Sequence, residues 1–406
     1  KMQQEGFQIP LMIGGATTSK AHTAVKICPA YQNDAVVYVP DASRSVSVDS
    51  QLLGSSKKAF AENIAEEYVV VRDRVARRKK RSDRLAYSEA VEAAFAGNWD
   101  TYQPPKPSFL GVKTLKDYPL ETLIDTIDWT PFFITWDLHG KYPAILEDDV
   151  VGEQARQLFA DAQSMLHQII NEGWLQAHGV IGFWRAQRVG SDDIRLFNAA
   201  NEPLADLHHL RQQLQKREGE SNLSLADFVA PEQGPSDWIG GFCVTTGHGV
   251  EERAKAFEAE HDDYNAIMLK ALADRLAESF AEQLHREVRT QHWGYDPEET
   301  LENAELIRER YRGIRPAPGY PACPDHTEKA TLFKLLDVEK NCGVSLTESY
   351  AMYPTAAVSG LYFSHPESRY FSVGKIGNDQ VSDLAERKGE SIDDLKYWLA
   401  PILDEA

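Results

Sequence analysis

The sequence predicts an α+β fold, a large mixed domain with an antiparallel sheet and long helices, preceded by the end of an α/β unit. Near the N-terminus, two short apolar runs flank a helix signal, as in an α/β unit. Further along, β-rich runs alternate with long segments of helical periodicity. We place an α/β part at residues 1–65, a helical and proline-rich linker at 66–100, and the large domain at 101–406.

The α/β part contains two candidate ligand turns. Ile9–Ile13 predicts a strand that ends at Gly14-Gly15, and a helix is expected to begin near Ser19. Ala35–Val39 predicts a second strand, apolar on both faces as in a buried parallel sheet, followed by Asp41-Ala42. Ligands of open α/β sheets bind beyond the carboxyl ends of strands. On residue chemistry alone, an ordinary turn explains the second position better, and without a GxGxxG pattern a dinucleotide site is unsupported.

Composition and charge narrow the class of protein. With 406 residues, 42% of them hydrophobic and 26% charged, the chain is expected to be soluble and globular, with two or three domains. A net charge of −19 argues against nucleic acid as a partner. The four cysteines are far apart, which indicates a reducing compartment.

Targeting signals are also lacking in the sequence. No segment approaches the roughly 20 apolar residues of a membrane span. The N-terminus lacks both a signal-peptide core and an initiator methionine. We therefore expect a cytoplasmic chain, without a membrane partner, that is a piece of a longer protein.

The linker is predicted to be helical from about residue 59 to 84. It carries a basic run, Arg77–Arg81, inside an acidic protein. A solvated helix is the plainer interpretation, and docking of an acidic partner is the alternative. The proline-rich stretch Trp99–Pro107 ends this connection.

In the large domain, one long helix is expected from Glu251 to His292, with apolar residues every four positions. Asp274 and Glu278 lie one turn apart on a neighbouring face, which spacing alone describes as a solvated acidic face. A further helix is predicted at 151–173. Strands are predicted at 179–184, 194–197, 238–245, 357–364 and 370–376, an amphipathic helical segment at 328–343, and a final helix at 392–399.

The stretch Gly313–Pro324 stands out because its prolines exclude both a helix and an inner strand. Gly319 can adopt backbone conformations closed to other residues. Arg315 offers a planar fork suited to a carboxylate, and Tyr320 offers a ring face and a hydroxyl group. A stiff loop with these two side chains could hold a ligand, although most proline-rich turns are only turns.

This loop also carries a family resemblance. The segment Arg315–Pro321 resembles the RxxxGYP signature of the reactivation domain of cobalamin-dependent methionine synthases. The flanking motifs Asp128–Phe133 and Ser359–Pro366 agree, and the resemblance runs nearly end to end. It implies that the N-terminal α/β part is the tail of a Rossmann-like cobalamin-binding domain.

The resemblance implies a site for S-adenosylmethionine. Arg315 would hold the ligand carboxylate, Asp128 its ammonium group, and Glu278 would lie on the pocket side near the sulfonium. Asp274 becomes a candidate interface residue. Phe371 stands where tyrosine is common in the family, which puts a hydroxyl contact there in doubt. The full set that the resemblance assigns is Asp128, Glu278, Arg315, Gly319, Tyr320, Tyr370 and Phe371.

For cobalamin, bound as methylcobalamin, the resemblance assigns Gly14, Gly15, Asp41 and Ala42. The DxHxxG motif whose histidine ligates cobalt in the family is absent, so no metal ligand is assigned and the cobalamin site would be incomplete. Zinc is implied only for the homocysteine module of the full enzyme. Flavodoxin or a related flavoprotein is implied as electron donor, and the cobalamin domain of the same chain as a further partner.

The implied function is reactivation of a methyltransferase. S-Adenosylmethionine would be bound with its methyl group positioned for the reductive remethylation of cob(II)alamin, without an acid–base catalytic residue. Two alternatives remain: a non-enzymatic cap that binds S-adenosylmethionine as a regulatory ligand, and a free-standing corrinoid-reactivation protein.

Overall fold

The computed structural model describes residues 2–3, 5–14, 19–39, 42–54, 57–79 and 84–404, excepting the side chains of 42–47 and 74–79. The chain divides into two compact units, residues 1–83 with 406, and residues 84–405. This division falls within the predicted linker, so the basic run is in unit 1 and the proline-rich stretch in unit 2. The predicted domain boundaries stay a prediction, and the two units are described separately.

Unit 1 contains a small parallel sheet flanked by helices, as the sequence predicts for its first strands. The strands pair in register from Leu11↔Val36 to Ile13↔Tyr38. The first helix begins after Ser19, whose hydroxyl accepts a hydrogen bond from the backbone N–H of His22. The elements are β1 (Leu11–Ile13), α1 (Lys20–His22), a π-helical turn (Thr23–Ile27), a 3-10 turn (Cys28–Ala30), β2 (Val36–Tyr38), α2 (Ala42–Leu53) and α3 (Lys57–Lys79).

Unit 2 is built around a six-stranded antiparallel sheet in the order β10-β7-β4-β5-β6, with β3 beside the first half of β4. The central strand β4 is long enough to pair with β3 and then with β5 along one edge, and with β7 along the other. A separate two-stranded sheet joins β8 and β9. The strands are β3 (Gly111–Leu115), β4 (Gln176–Val189), β5 (Asp193–Phe197), β6 (Pro203–His208), β7 (Asp237–His248), β8 (Ser345–Leu346), β9 (Met352–Tyr353) and β10 (Ala357–Tyr362).

Both faces of the large sheet are covered, because side chains of β4 alternate between two cores. Ile181 and Phe183 join the core beneath the long helices, whereas Val180 and Trp184 join the core on the opposite face. The helices are α4 (Tyr87–Glu92), α5 (Thr130–Thr135), α6 (Gly152–Asn171), α7 (Val250–Ala259), α8 (Asp263–Glu287), α9 (Asn303–Leu306), α10 (Glu328–Leu336), α11 (Val338–Cys342), α12 (Asn378–Lys388) and α13 (Ile392–Leu399). The 3-10 helices are Leu120–Thr126, Ala144–Glu147 and Leu225–Phe228, and the π-helical turn Val288–His292 continues α8.

The prediction of one long helix over 251–292 was wrong in one respect. The chain breaks after α7, where His261 has a left-handed φ of +61°. Asp262 then starts α8, because its side chain accepts a hydrogen bond from the N–H of Asn265. The apolar stripe of α8 is buried as predicted, from Met268 to Leu284.

The prediction of a strand over 370–376 was also wrong. Residues 370–375 run as an irregular segment that leads into α12, with one isolated bridge between Ile376 and Leu403. Val373 donates its N–H to the carbonyl of Pro321, so this segment is bound to the proline-rich loop rather than to the sheet. Its apolar side chains pack against the core on the opposite face of the sheet and against a small cluster beside α12, not in a β-ladder.

Candidate functional site

The site begins with a polar stripe along the buried helix α8. Glu278, Glu282, His285 and, in the following turn, Arg289 are spaced by four, three and four residues, so they share one face of the helix. Burial raises the pKa of the Glu278 carboxyl, with the nearby Asp274 and Glu282 adding to it and Arg275 opposing it. A stripe of charges inside a helix that is otherwise part of the core needs partners from elsewhere in the fold.

Arg315 provides the main partner. Its Nη2 lies 2.8 Å from Oε2 of Glu282, and its Nη1 donates to the Tyr311 hydroxyl at 3.0 Å. Nη1 also lies 3.2 Å from Nδ1 of His285. Burial alone would lower the pKa of the guanidinium, but the Glu282 carboxylate outweighs it and the pKa rises. The Arg315 side chain remains 20% exposed, so it is held from within while part of it still reaches solvent.

His285 is held in its neutral form. Burial lowers its pKa well below the usual range, and the positive charges of Arg289 and Arg315 lower it further. Because an arginine can only donate, Nδ1 of His285 must accept from Arg315. The ring proton is therefore on Nε2, which lies 3.3 Å from the Tyr295 hydroxyl. The His285 ring also stacks on Tyr362 of β10, at 5.2 Å between centroids.

Backbone hydrogen bonds fix the proline-rich loop on both sides of Arg315 in the chain. On one side, Ile314 and Phe363 exchange backbone hydrogen bonds of 3.1 and 3.0 Å. On the other side, the carbonyl of Pro316 accepts from the N–H of Leu361 at 2.8 Å. The backbone N–H of Arg315 itself donates to the Tyr370 hydroxyl at 2.9 Å. The loop therefore runs along the edge of β10, and Arg315 has little freedom to move its backbone.

Gly319 turns the loop outward. Its φ is +97°, a conformation that side chains rarely adopt, and a Cβ there would lie 2.3 Å from Cε1 of His326. The following residue, Tyr320, is 60% exposed. Partial burial, together with the carboxylates of Glu278 and Asp274, raises the pKa of the Tyr320 phenol. Tyr320 therefore lies beside the Glu278 end of the polar stripe.

Two further predicted residues are held by other neighbours. Asp128 precedes α5, and its Oδ1 accepts from the N–H of Thr130 at 3.0 Å. It is linked to α8 through Thr126, whose hydroxyl lies 2.6 Å from that of Ser279, next to Glu278. Phe371, in contrast, packs against Phe228 in the core, with ring centroids 6.5 Å apart. The structure thus brings together Glu278, Arg315, Gly319, Tyr320 and Tyr370, and it turns Phe371 toward the interior.

The residues predicted to touch cobalamin are only partly described. Gly14 directly follows β1, and a Cβ there would lie 2.8 Å from the carbonyl oxygen of Val39, so the close approach of the chain after the two strands already requires a glycine. Ala42 is the first residue of α2. Gly15 and Asp41 lie outside the described residues. Their assignment to cobalamin stays a prediction.

Sequence reasoning missed three residues that hold Arg315: Glu282, His285 and Tyr311. A signal for two of them was present, because Glu282 and His285 continue the helical spacing that begins at Glu278. A polar face beside an apolar stripe is usually solvated, so this spacing indicated a shared face and not its burial. Tyr311 carried no comparable signal.

The geometry defines a ligand-binding α+β module, in which a rigid loop presents an arginine that is anchored from behind. The comparisons agree with this class. Residues 119–389 match the family model of the activation domain of vitamin B12 dependent methionine synthase. A crystal structure of the MetH reactivation domain bound to AdoHcy is 54% identical, covers 80% of this chain and 99% of its own, and superposes with a TM-score of 0.77.

The chain belongs to the family of vitamin B12 dependent methionine synthase activation domains. It carries a methionine synthase reactivation domain, and the predicted α+β fold with an antiparallel sheet and long helices is confirmed. Across the described ranges, no helix is both long enough and apolar enough to cross a membrane.

Proposed function

We propose that unit 2 binds S-adenosylmethionine and positions its methyl group for the reductive remethylation of oxidised cobalamin. The observation that carries this proposal is the anchored Arg315 on a fixed loop, in a chain that is 54% identical to a reactivation domain bound to AdoHcy. AdoHcy, S-adenosylhomocysteine, is what remains of S-adenosylmethionine after its methyl group has left. A site for one therefore has the shape needed for the other.

The carboxylate, ammonium and sulfonium groups of the ligand would each have a partner among these residues. The free donors of Arg315 would bind the ligand carboxylate, since arginine forms strong charge-assisted hydrogen bonds with carboxylates. Asp128 would accept from the ammonium group. The Tyr320 ring and the Glu278 carboxyl would face the sulfonium, where a cation–π contact contributes roughly 0.5–2 kcal/mol. The chain's contribution is to bind and orient the ligand rather than to transfer protons.

Cobalamin would supply the cobalt that accepts the methyl group, and it belongs to this proposal only through the family. Gly14 fits a close backbone approach but is already explained by the close approach to Val39. Neither the net negative charge of the chain nor its basic segment at 77–81 identifies the electron donor. Flavodoxin or a related flavoprotein stays a proposed partner.

Calorimetric titration of the chain with S-adenosylmethionine tests the proposal. We expect saturable binding at one site, and much weaker binding of 5′-deoxyadenosine, which lacks the amino-acid part that Arg315 and Asp128 would hold. Absence of saturable binding by S-adenosylmethionine would refute the proposed function. Methyl transfer from S-adenosylmethionine to reduced cobalamin, added in excess, then separates a reactivation module from a regulatory cap.

A further inference from the structure

A buried lysine binds the segment that directly follows the proline-rich loop. Lys388 is in the last turn of α12, and its side chain is only 6% exposed. Its Nζ lies 2.8 Å from Oδ2 of Asp325, 2.6 Å from Oγ1 of Thr327 and 2.9 Å from Oε1 of Glu328. We refer to these four residues as the lysine clamp. All three partners of Lys388 belong to the segment that directly follows the loop.

The charged groups of the lysine clamp all have hydrogen-bond partners. Burial would lower the pKa of Lys388, but the carboxylates of Glu328 and Asp325 raise it above its usual range, so the ammonium stays charged. The remaining oxygens are also occupied. Oδ1 of Asp325 accepts from the N–H and hydroxyl of Thr327, and Oε2 of Glu328 accepts from the N–H of His208. A buried charge group of this kind adds little net stability compared with apolar packing, but it permits one geometry only.

The clamp is joined to the loop through His326, which lies between two of its members. The His326 ring packs against Gly319, so closely that a Cβ on that glycine would overlap it. Two backbone hydrogen bonds with Cys323 close the turn that carries Tyr320. The N–H of Gly319 donates to the Cys323 carbonyl at 2.7 Å, and the N–H of Cys323 donates to the Tyr320 carbonyl at 2.9 Å. Residues 323–326 therefore fix the position of this turn. Lys388 binds the same segment at Asp325.

We propose that Lys388 is a positioning residue for ligand binding: it fixes the 319–323 turn through Asp325 and His326, without itself contacting the ligand. The inference rests on the proposed function, because it takes the loop to be the binding element. It adds a determinant from α12 that neither the loop motif nor the polar stripe of α8 contains. An alternative role, in which Lys388 only fastens α12 to the domain, makes a different prediction.

Arg387 provides a matched control. It is the preceding residue on α12, its side chain is 17% exposed, and it pairs with Asp193 at the start of β5 and with Asp383 of α12. It also donates to the carbonyl of His209 at 3.2 Å. Arg387 thus fastens α12 to the sheet at Asp193 and His209, rather than directly to the segment that follows the loop. Lys388→Met and Arg387→Met each remove one buried cation from the same helix turn.

The experiment compares the two variants in the full chain by two measurements, the Kd for S-adenosylmethionine and the hydrogen exchange rates of the Gly319 and Cys323 amides without ligand. We expect Lys388→Met to raise Kd about tenfold, which corresponds to about 1.4 kcal/mol. It should also accelerate exchange at both amides, relative to Arg387→Met. Equal Kd values for the two variants, or equal exchange rates at the turn, would overturn the proposal.

A triple variant separates positioning from stability. Lys388→Met combined with Asp325→Asn and Glu328→Gln removes the unpaired carboxylates and should recover much of the lost thermal stability. If Lys388 positions the turn, Kd and amide exchange stay raised in this variant. Recovery of wild-type Kd along with stability would overturn the proposal. If wild-type protein fails to bind S-adenosylmethionine, the proposed function fails, and the exchange rates of the turn still decide whether Lys388 holds it.

Discussion

Two arginines of unit 2, Arg211 and Arg315, are both held by carboxylates, but they differ in whether they could also bind a ligand. Arg211 is fully buried and lies against two carboxylates, with Asp227 bound through both nitrogens at 2.8 Å and Asp192 at 2.7 Å. It also donates to the backbone carbonyls of Asn222 and Ser191. Arg315 meets one carboxylate, Glu282, and keeps part of its side chain exposed. Arg211 is sealed from solvent against two carboxylates, so a ligand cannot reach it, whereas Arg315 is anchored and still partly exposed.

The difference teaches how a binding arginine can be recognised. Both side chains are held rigidly, so rigidity does not distinguish them. The deciding feature is the balance of charge, since Arg211 has an excess of negative partners and Arg315 has one carboxylate and two neutral groups. A ligand carboxylate would raise the number of carboxylates at Arg315 to two, as at Arg211.

The largest effect is expected on the free energy of unfolding, when Arg211 is replaced. Arg211→Met leaves the carboxylates of Asp192 and Asp227 buried together, and we expect a loss of about 3–5 kcal/mol in the free energy of unfolding. Urea denaturation at neutral pH measures it. The Kd for S-adenosylmethionine should stay unchanged in the folded protein. A loss below about 1 kcal/mol, or a clear change in Kd, would contradict the contrast between the two arginines.

Replacement of Arg315, the arginine that could still bind a ligand, should mainly weaken ligand binding. Arg315→Ala should weaken S-adenosylmethionine binding by about 1.5–3 kcal/mol, the contribution of a hydrogen bond to a charged group. Isothermal calorimetry gives the value, and circular dichroism checks the fold. An unchanged Kd in a folded variant would mean that Arg315 does not hold the ligand carboxylate.

A smaller effect is expected at the backbone of the same residue. Tyr370→Phe removes the acceptor for the Arg315 N–H, and we expect ligand binding to weaken by about 0.5–1.5 kcal/mol because the loop loses one fixing hydrogen bond. Tyr353→Phe is the control, since that tyrosine is exposed and its hydroxyl bonds to Glu251. Equal effects of the two variants on Kd would show that the Tyr370 hydroxyl does not position Arg315.

The smallest effect concerns pH. The pKa of Glu278 is raised in the folded protein, mainly by burial, so its ionised form destabilises the fold above that pKa. Glu278→Gln should therefore be more stable than wild type at neutral pH. The difference should shrink as pH falls through the raised pKa toward the ordinary carboxyl value of about 4.3. Thermal unfolding of both proteins across this pH range measures the difference, and a difference that does not change with pH would contradict the raised pKa of Glu278.

Several elements could be predicted because their signals are local. The apolar runs at 179–184 and 194–197 predicted the strands β4 and β5, which pair as a hairpin. The spacing of apolar residues gave α6 and the buried face of α8. The break at His261 was missed, since neither glycine nor proline marks it and an aspartate such as Asp262 can also occur within a helix. The segment 370–376 was misassigned because alternation reports two contacted surfaces, not a hydrogen-bonded ladder.

The sequence by itself determined the irregular loop at Gly313–Pro324, because proline fixes φ and removes a donor wherever the chain folds. It also indicated Arg315 and Tyr320 as candidate binding residues from the loop itself, and Glu278 through the family resemblance. Only the tertiary structure decided that Glu282, His285 and Tyr311 hold Arg315 from within, and that Lys388 fixes the segment that follows the loop. Local patterns report the conformation and the face of each residue. Which charges meet depends on contacts between distant segments, and the energy of those contacts depends on burial that only the assembled fold creates.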